Sequence, residues 1–279
     1  MEIGLVLGGG GSRGFAHLGV LRALAERGVH AVTIAGCSMG GIVGAFVAAG
    51  HSPDRITSAF REAKLHRLLD RARGGALMGG RGIVSELGKH LPKRFEDLEL
   101  PLAVTAVDVD RGCAVVLSEG DLLEALRATS AVPGILAPVH RDGRVLIDGG
   151  LLNNVPVDVA RSRTLLPIVA VDVSPPRNRA LDLREDAGVW ERLIQPIAQG
   201  RRPLLVELFV KAYEIPQALI TETRLAITPP DLLIRPPLDP HLKLEDYDRL
   251  EEAIEVGWRE ADRRLEGFGA AGRGSPATA

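Results

Sequence analysis

The run VTIAGCSMG at residues 32–40 joins a short apolar strand to a serine that stands between two glycines. An apolar helix is predicted directly after it, over residues 42–49. A serine at a sharp turn between a buried strand and a helix is the arrangement of a nucleophile elbow, G-x-S-x-G, where small neighbours let the hydroxyl stand clear of the backbone. The motif is weak by itself, and its strand-then-helix context is what favours Ser38 as a nucleophile.

A second glycine cluster lies near the start of the chain, where a predicted strand at residues 3–7 runs into GGGGSRG at residues 8–14. A helix is predicted to open near Phe15. Successive glycines before a helix present bare backbone N–H groups, which bind negative charge. Two ligands fit this loop: the phosphate of a nucleotide, and the oxyanion that forms when a serine attacks an ester carbonyl.

The nucleotide interpretation lacks its partner residues. A dinucleotide-binding fold places an acid at the end of the second strand, and here that strand ends in Gly36-Cys37-Ser38. A phosphate-binding loop of the Walker type needs Gly-Lys-Ser/Thr, and this loop has Ser12-Arg13-Gly14. The oxyanion is therefore favoured, with a nucleotide-binding regulatory module as the alternative from another class and a structural glycine turn as a third.

A third segment supplies an acid. The run VLIDGG at residues 145–150 is a short apolar strand that ends in Asp148 and two glycines. Alone, Asp-Gly is more typical of a capped turn than of a site. At the end of a strand in a parallel sheet, however, Asp148 could be brought close to the end of another strand.

Together these segments resemble the patatin-like phospholipase family, in particular its bacterial, neuropathy-target-esterase-like branch. The matching pieces are GGGSRG at residues 9–14, GCSMG at 36–40, LRATSAVPG at 126–134, DGG at 148–150 and NVPV at 154–157. The resemblance covers about residues 3–175. It implies an α/β fold with three α/β/α layers around a mostly parallel central sheet.

The resemblance also implies a chemistry: a serine lipid acyl hydrolase that works through an acyl-serine intermediate. Its catalytic residues would be a dyad of Ser38 and Asp148. The oxyanion loop would be formed by Gly9, Gly10 and Gly11, and Arg13 would support that loop. No cofactor and no metal are implied. Phospholipid or lysophospholipid is the expected substrate, and a neutral-lipid or general carboxylesterase or an acyltransferase is the alternative within enzymes.

Other candidates for the base and the nucleophile are weaker. Of the seven histidines, His241 is the only one that follows Asp148, and no strand and tight turn introduce it. His17 is interpreted as a helix residue that forms a local hydrogen bond, and Cys37 as a small buried residue of the elbow. Asp148 is a poor base at its ordinary pKa of ~3.9, so the dyad needs a desolvated site that raises this value.

The chain is predicted to have a catalytic core at residues 1–175, an addition at 176–266 packed on that core, and a disordered tail at 267–279. In the addition we expect a helix near residues 203–218, short strands at 225–227 and 232–234, and a charged amphipathic helix at 245–265. Asp108 and Asp110 are interpreted as turn residues rather than metal ligands.

Composition limits the partners. The net charge of −2 over 279 residues gives no indication of nucleic-acid binding, and two cysteines cannot form a disulfide framework. There is no signal-peptide pattern and no apolar run of about 18 residues, so we expect a cytoplasmic protein with at most a peripheral membrane contact.

Two segments are candidates for a lipid-facing surface. One is the glycine- and arginine-rich stretch at residues 70–82, and the other is an apolar stripe formed by Leu204, Leu205, Leu208, Phe209 and Ala212. The pattern does not indicate an oligomeric state.

Overall fold

The computed structural model describes residues 1–62, 80–175, 204–240, 242 and 247–271. The strands in this part of the chain are β1 (Glu2–Leu7), β2 (His30–Gly36), β3 (Leu102–Asp108), β4 (Cys113–Leu117), β5 (Val139–Arg141), β6 (Arg144–Asp148), β7 (Ile168–Val171) and β8 (Leu232–Ile234). The helices are α1 (Ala16–Glu26), α2 (Met39–Ala48), α3 (Pro53–Glu62), α4 (Arg81–Leu87), α5 (Leu122–Thr129), α6 (Gly150–Asn153), α7 (Val157–Arg161), α8 (Leu204–Ile227) and α9 (Leu250–Ala271).

One sheet organises these elements, in the order β5-β6-β3-β2-β1-β7-β8, with β4 paired to β3. The pairs from β3 through β2, β1 and β7 to β8 are all parallel. The strands β4, β5 and β6 add antiparallel pairs at one side. The predicted mostly parallel sheet is confirmed.

Helices cover both faces of the sheet because the side chains of β1 alternate between them. Ile3, Leu5 and Leu7 pack into a large apolar cluster with α1, α2, α3 and α9. Val6 points to the other face, where it belongs to a smaller cluster with residues of α7 and with Leu225 of α8. The three-layer architecture follows, and α8 and α9 lie on opposite faces.

The two strands that precede the candidate catalytic residues share one edge of β3. Val104 pairs with both Gly36 of β2 and Leu117 of β4. Two residues later, Ala106 pairs with both Asp148 of β6 and Val115 of β4. Because β4 occupies one edge, β2 and β6 must follow each other along the second edge.

Those two strands run in opposite directions, since β2 is parallel and β6 antiparallel to β3. Their carboxyl ends therefore meet, which brings Asp148 to the turn that contains Ser38. The expectation that Asp148 would end a strand of the parallel set is wrong. The proximity arises instead from an antiparallel strand that meets β2 end to end.

The C-terminal region departs from the prediction in two elements, α8 and α9. The prediction of a short strand at residues 225–227 is wrong, because these residues form the last turn of α8. Ala218, Thr221 and Leu225 are buried at helical spacing, so the same face of α8 continues onto the sheet. The strand at 232–234 is confirmed as β8, and α9 continues to Ala271, past the point where a disordered tail was expected. His241, most of residues 70–82 and all of residues 177–202 lie outside the described residues.

Candidate active site

Ser38 sits at the apex of a strained turn between β2 and α2. Its φ of 51° and ψ of −125° place a residue with a side chain in a region that favours glycine. Its backbone N–H donates to Thr129 Oγ1 at 2.9 Å, which holds the turn against the end of α5. A β-carbon on Gly40 would lie 2.1 Å from the Leu7 carbonyl oxygen, so only glycine lets α2 approach β1 this closely.

The glycine loop lies beside this turn. The N–H of Gly8 donates to Val171 O at 2.9 Å, and that of Gly9 donates to Asn154 O at 3.3 Å. Within the described part of the chain, the N–H groups of Gly10 and Gly11 have no acceptor. Two of the three predicted oxyanion donors therefore stand open, while Gly9 already has a partner.

Asn154 clamps the loop from the other side. Its Nδ2 donates to Gly9 O at 3.1 Å and to Ser174 Oγ at 3.0 Å. Together with the bond from Gly9 N–H to the Asn154 carbonyl, these contacts fix both polar groups of Gly9. Asn154 lies in the segment NVPV, and no pattern in the sequence indicates this role for it.

Arg13 is buried and reaches backbone carbonyls. Its Nε donates to Val173 O at 2.9 Å and its Nη1 donates to Asp239 O at 3.0 Å. The guanidinium thereby ties the glycine loop to the segments that follow β7 and β8. These contacts are those of a side chain that supports the loop.

Asp148 is only 3% exposed, and its two oxygens differ. Oδ1 accepts hydrogen bonds from Gly150 N at 2.7 Å, Tyr213 Oη at 3.1 Å and Cys37 Sγ at 3.8 Å. Oδ2 has no partner with hydrogen-bond geometry among the described residues. Burial raises the pKa of Asp148 from 3.8 to about 6, and the nearby Ser38 hydroxyl and the Gly150 N–H partly offset this effect.

These groups share one pocket, which is lined by Gly9, Gly10, Gly11, Ser38, Val132, Asp148, Asn154, Pro175, Tyr213, Glu214 and Gln217. The last three belong to α8 and were not predicted as site residues. One signal in the sequence could have found them, since polar side chains at positions 213, 214 and 217 recur at helical spacing and so share one face of the helix.

Cys37 and His17 are buried, and both side chains are uncharged at neutral pH. Burial and the Asp148 carboxylate raise the pKa of the Cys37 thiol well above its ordinary value, which keeps it a thiol at neutral pH. His17 Nε2 donates to Gly8 O at 2.7 Å, and burial lowers the pKa of His17 to about 4. The predicted local hydrogen bond of His17 is confirmed, and its imidazole is neutral at pH 7.

Asp108 makes the contacts of a turn residue. Its carboxylate accepts from Arg111 N at 3.1 Å and from Arg111 Nη1 at 2.7 Å, which closes the loop between β3 and β4. Over the described ranges, no cluster of three or more histidine, cysteine, aspartate or glutamate residues could hold a metal ion. None of the helices in those ranges is long and apolar enough to cross a membrane.

Comparison with known proteins places this site in a family. A Mycobacterium tuberculosis protein described as an uncharacterized NTE family protein is 38% identical over 160 residues, which cover 56% of this chain and 44% of the relative. Human patatin-like phospholipase domain-containing protein 6 is 30% identical over 272 residues, covering 92% of this chain and 20% of that protein. The chain thus spans less than half the length of these relatives. The family model described as patatin-like phospholipase matches residues 5–161, more than half of the chain, and the chain therefore belongs to the patatin-like phospholipase family.

Proposed function

We propose that this chain is a serine lipid acyl hydrolase, a phospholipase or lysophospholipase, which uses Ser38 and Asp148 as a catalytic dyad. One observation carries the proposal. A serine on a strained turn, a buried carboxylate with one unpartnered oxygen, and the open N–H groups of Gly10 and Gly11 line the same pocket. These are the nucleophile, base and electrophilic donors that acyl transfer requires.

In the first half-reaction, Ser38 Oγ attacks the ester carbonyl carbon while its proton passes to Asp148 Oδ2. The carbonyl electron pair moves to oxygen, and the resulting oxyanion accepts hydrogen bonds from Gly10 and Gly11. When the intermediate collapses, the ester C–O bond breaks and the leaving alcohol takes the proton from Asp148. Water then attacks the acyl-serine by the same route, giving the fatty acid and free Ser38.

The altered pKa of Asp148 suits this role. A carboxylate with a pKa of about 6 remains mostly ionised at pH 7, yet it is a stronger base than an ordinary aspartate. The donors of the glycine loop supply the remaining stabilisation, and the loss of one such donor costs roughly 10²–10³ in rate.

The surface around the pocket supports a substrate that is presented at a lipid interface, with a peripheral membrane contact. Helix α8 lines the pocket with the buried polar residues Glu214 and Gln217. Its outer side carries the exposed apolar residues Leu208, Phe209, Ile215 and Leu219. A helix that exposes apolar side chains next to a lipid-hydrolysing site is suited to contact aggregated lipid.

The proposal is tested by replacing each member of the dyad. Ser38→Ala should abolish both ester hydrolysis and labelling by a fluorophosphonate probe, because no other residue replaces the nucleophile. Asp148→Asn should lower turnover by roughly 10²–10⁴-fold, since the amide cannot accept the proton. Comparing lipid products of the wild type with those of Ser38→Ala identifies the substrate class.

His241→Ala is the matched control, because it removes the only histidine that follows Asp148 in the sequence. It should retain wild-type turnover. A folded but inactive His241→Ala variant would replace the dyad by a triad, and full labelling of Ser38→Ala would reject Ser38 as the nucleophile.

A further inference from the structure

Tyr213 connects α8 directly to the candidate base. Its hydroxyl donates to Asp148 Oδ1 at 3.1 Å, although the two residues are 65 positions apart in the chain. It lies beyond residues 5–161, the range matched by the family model. The site is thus completed by a side chain from the region that carries no recognised motif.

This contact makes the two carboxylate oxygens unequal. Oδ1 receives donors from three separate segments: the Gly150 N–H, the Tyr213 hydroxyl and the Cys37 thiol. Oδ2 receives none from the described residues. A carboxylate oxygen that already accepts three hydrogen bonds is a poor proton acceptor, so the proton from Ser38 has one oxygen to go to.

We propose that Tyr213 is a positioning residue for the base: its hydroxyl holds Oδ1 of Asp148, keeps the carboxylate ionised, and leaves Oδ2 to accept the Ser38 proton. This inference rests on the proposed Ser38–Asp148 dyad. Tyr213 itself transfers no proton and acts through Asp148.

The ionisable groups that face Asp148 are Cys37 from the elbow and Tyr213 and Glu214 from α8. Burial raises the pKa of both Cys37 and Tyr213, so both are neutral donors at neutral pH. Glu214 has its own cation, Lys211, at 3.6 Å. The Tyr213 bond is therefore one of the few contacts that favour the charged form of Asp148 against the effect of burial.

Tyr213→Phe removes this hydroxyl and keeps the ring. Losing a charge-assisted hydrogen bond makes the carboxylate of Asp148 easier to protonate, so its pKa should rise by about one unit. The acid limb of the kcat/KM profile should move to higher pH by the same amount. Activity should fall by about fivefold at pH 6, approach a loss of about tenfold at lower pH, and recover as the pH rises towards 8. Thr221→Val is the control, because it also removes a hydroxyl from α8, one that bonds to Gln217 O on the same helix, and its profile should match that of the wild type.

A second replacement should shift the profile in the opposite direction. The chain holds two tyrosines, Tyr213 and Tyr247, so 3-fluorotyrosine can be placed at 213 alone in a Tyr247→Phe background. The fluorinated phenol is a stronger donor of the same shape, and it should stabilise the carboxylate and move the acid limb to lower pH. A residue that only packs would not give opposite shifts for a weaker and a stronger donor.

The outcomes separate the two proposals. If the wild type hydrolyses esters and is labelled at Ser38, yet neither replacement moves the acid limb, the role of Tyr213 is overturned and the dyad stands. If the wild type is neither active nor labelled, the dyad itself fails. Thermal unfolding monitors the fold of each variant, and the fluorotyrosine protein decides the matter if Tyr213→Phe is unstable.

Discussion

Two residues of the site are held in states that a free chain avoids. Ser38 has a φ of 51°, a backbone conformation that costs of the order of 1–3 kcal/mol for a residue with a side chain. Asp148 is buried without a cation among the hydrogen-bond partners of its carboxylate in the described structure. Strain and desolvation of this kind persist at functional positions because the surrounding packing holds them in place.

The burial of Asp148 predicts a dependence of stability on pH. Its pKa is about 6 in the folded chain and 3.8 in the reference state, a difference that corresponds to about 3 kcal/mol. Between pH 4 and pH 6 the unfolded chain binds fewer protons than the folded one, so this group makes the folded state less stable as the pH rises. Asp148→Asn should therefore be the more stable protein at pH 8, and the difference should shrink towards pH 4.

Urea unfolding of both proteins at pH 8, 6 and 4 measures the effect. Asp142→Asn is a suitable control, because Asp142 is exposed and its positive φ suits asparagine equally well. It should follow the wild type at every pH. Parallel stability curves for Asp148→Asn and the wild type would contradict the raised pKa.

Sequence patterns could predict the residues of the candidate site whose signals are local. Ser38, Asp148 and the glycine loop each stand at the end of a recognisable strand, within a few residues of the glycines that identify them. The size of the pKa shift of Asp148 could not be predicted, because burial depends on how the folded chain packs around the carboxylate. The contact of Tyr213 with Asp148 was also missed, since a hydrogen bond between residues 65 positions apart leaves no local pattern.

At the scale of elements, α9 packs against α1 so closely that the two helix backbones are in direct contact at glycine residues. A β-carbon on Gly19 would lie 1.9 Å from Ile254 O, and one on Gly257 would lie 2.1 Å from Ala16 O. At the edge of this contact, Trp258 Nε1 donates to Glu26 Oε2 at 2.8 Å. Since α1 directly follows the glycine loop in the chain, the packing of α9 against α1 also supports that loop.

Two glycines of α9 provide a matched pair of substitutions. Gly257→Ala should destabilise the protein by about 1–3 kcal/mol, because the methyl group forces the helices apart. Gly267→Ala, in the same helix with nothing within 4 Å of the added carbon, should instead stabilise it by about 0.5–1 kcal/mol through helix propensity. Thermal unfolding of both variants checks the opposite signs, and equal effects would show that α9 does not depend on this close approach.

Element prediction succeeded where one segment contained its own signal and failed where the fold decided. The strands β1, β2 and β8 were identified from short apolar runs. The prediction of a strand from the run at residues 225–227 was wrong, because Leu225 continues the buried face of α8. The direction of β6 could not be predicted either, since it depends on pairing with β3 and not on the run itself.

At the scale of the whole molecule, the polarity of α8 is inverted over the pocket. Its buried side carries Glu214, Gln217 and Thr221, while Ile215 and Leu219 are 60% and 59% exposed. A helix on the surface of a water-soluble domain normally shows the reverse. The pocket accounts for the buried polar residues Glu214 and Gln217, which line it, while the Thr221 hydroxyl bonds to Gln217 O within the helix. The exposed apolar side is accounted for if the substrate surface is lipid.

This inversion predicts that α8 contacts aggregated substrate. Ile215→Glu and Leu219→Glu should each reduce activity on a long-chain ester in micelles or vesicles by roughly tenfold or more, because a charge placed at the interface opposes apolar burial. Activity on a dispersed short-chain ester should change little, since neither residue lines the pocket. Liposome flotation should show weaker binding for both variants.

Leu165→Glu is the control for surface charge. Leu165 is fully exposed and precedes β7, whose carboxyl end meets the glycine loop at Gly8, so it lies at the opposite end of the sheet from the site. It should leave activity on both substrates unchanged. If the wild type hydrolyses dispersed and aggregated esters equally well and does not float with liposomes, the outer side of α8 has no lipid role. A general carboxylesterase then becomes the better description, because the dyad would act on esters that reach the pocket from solution.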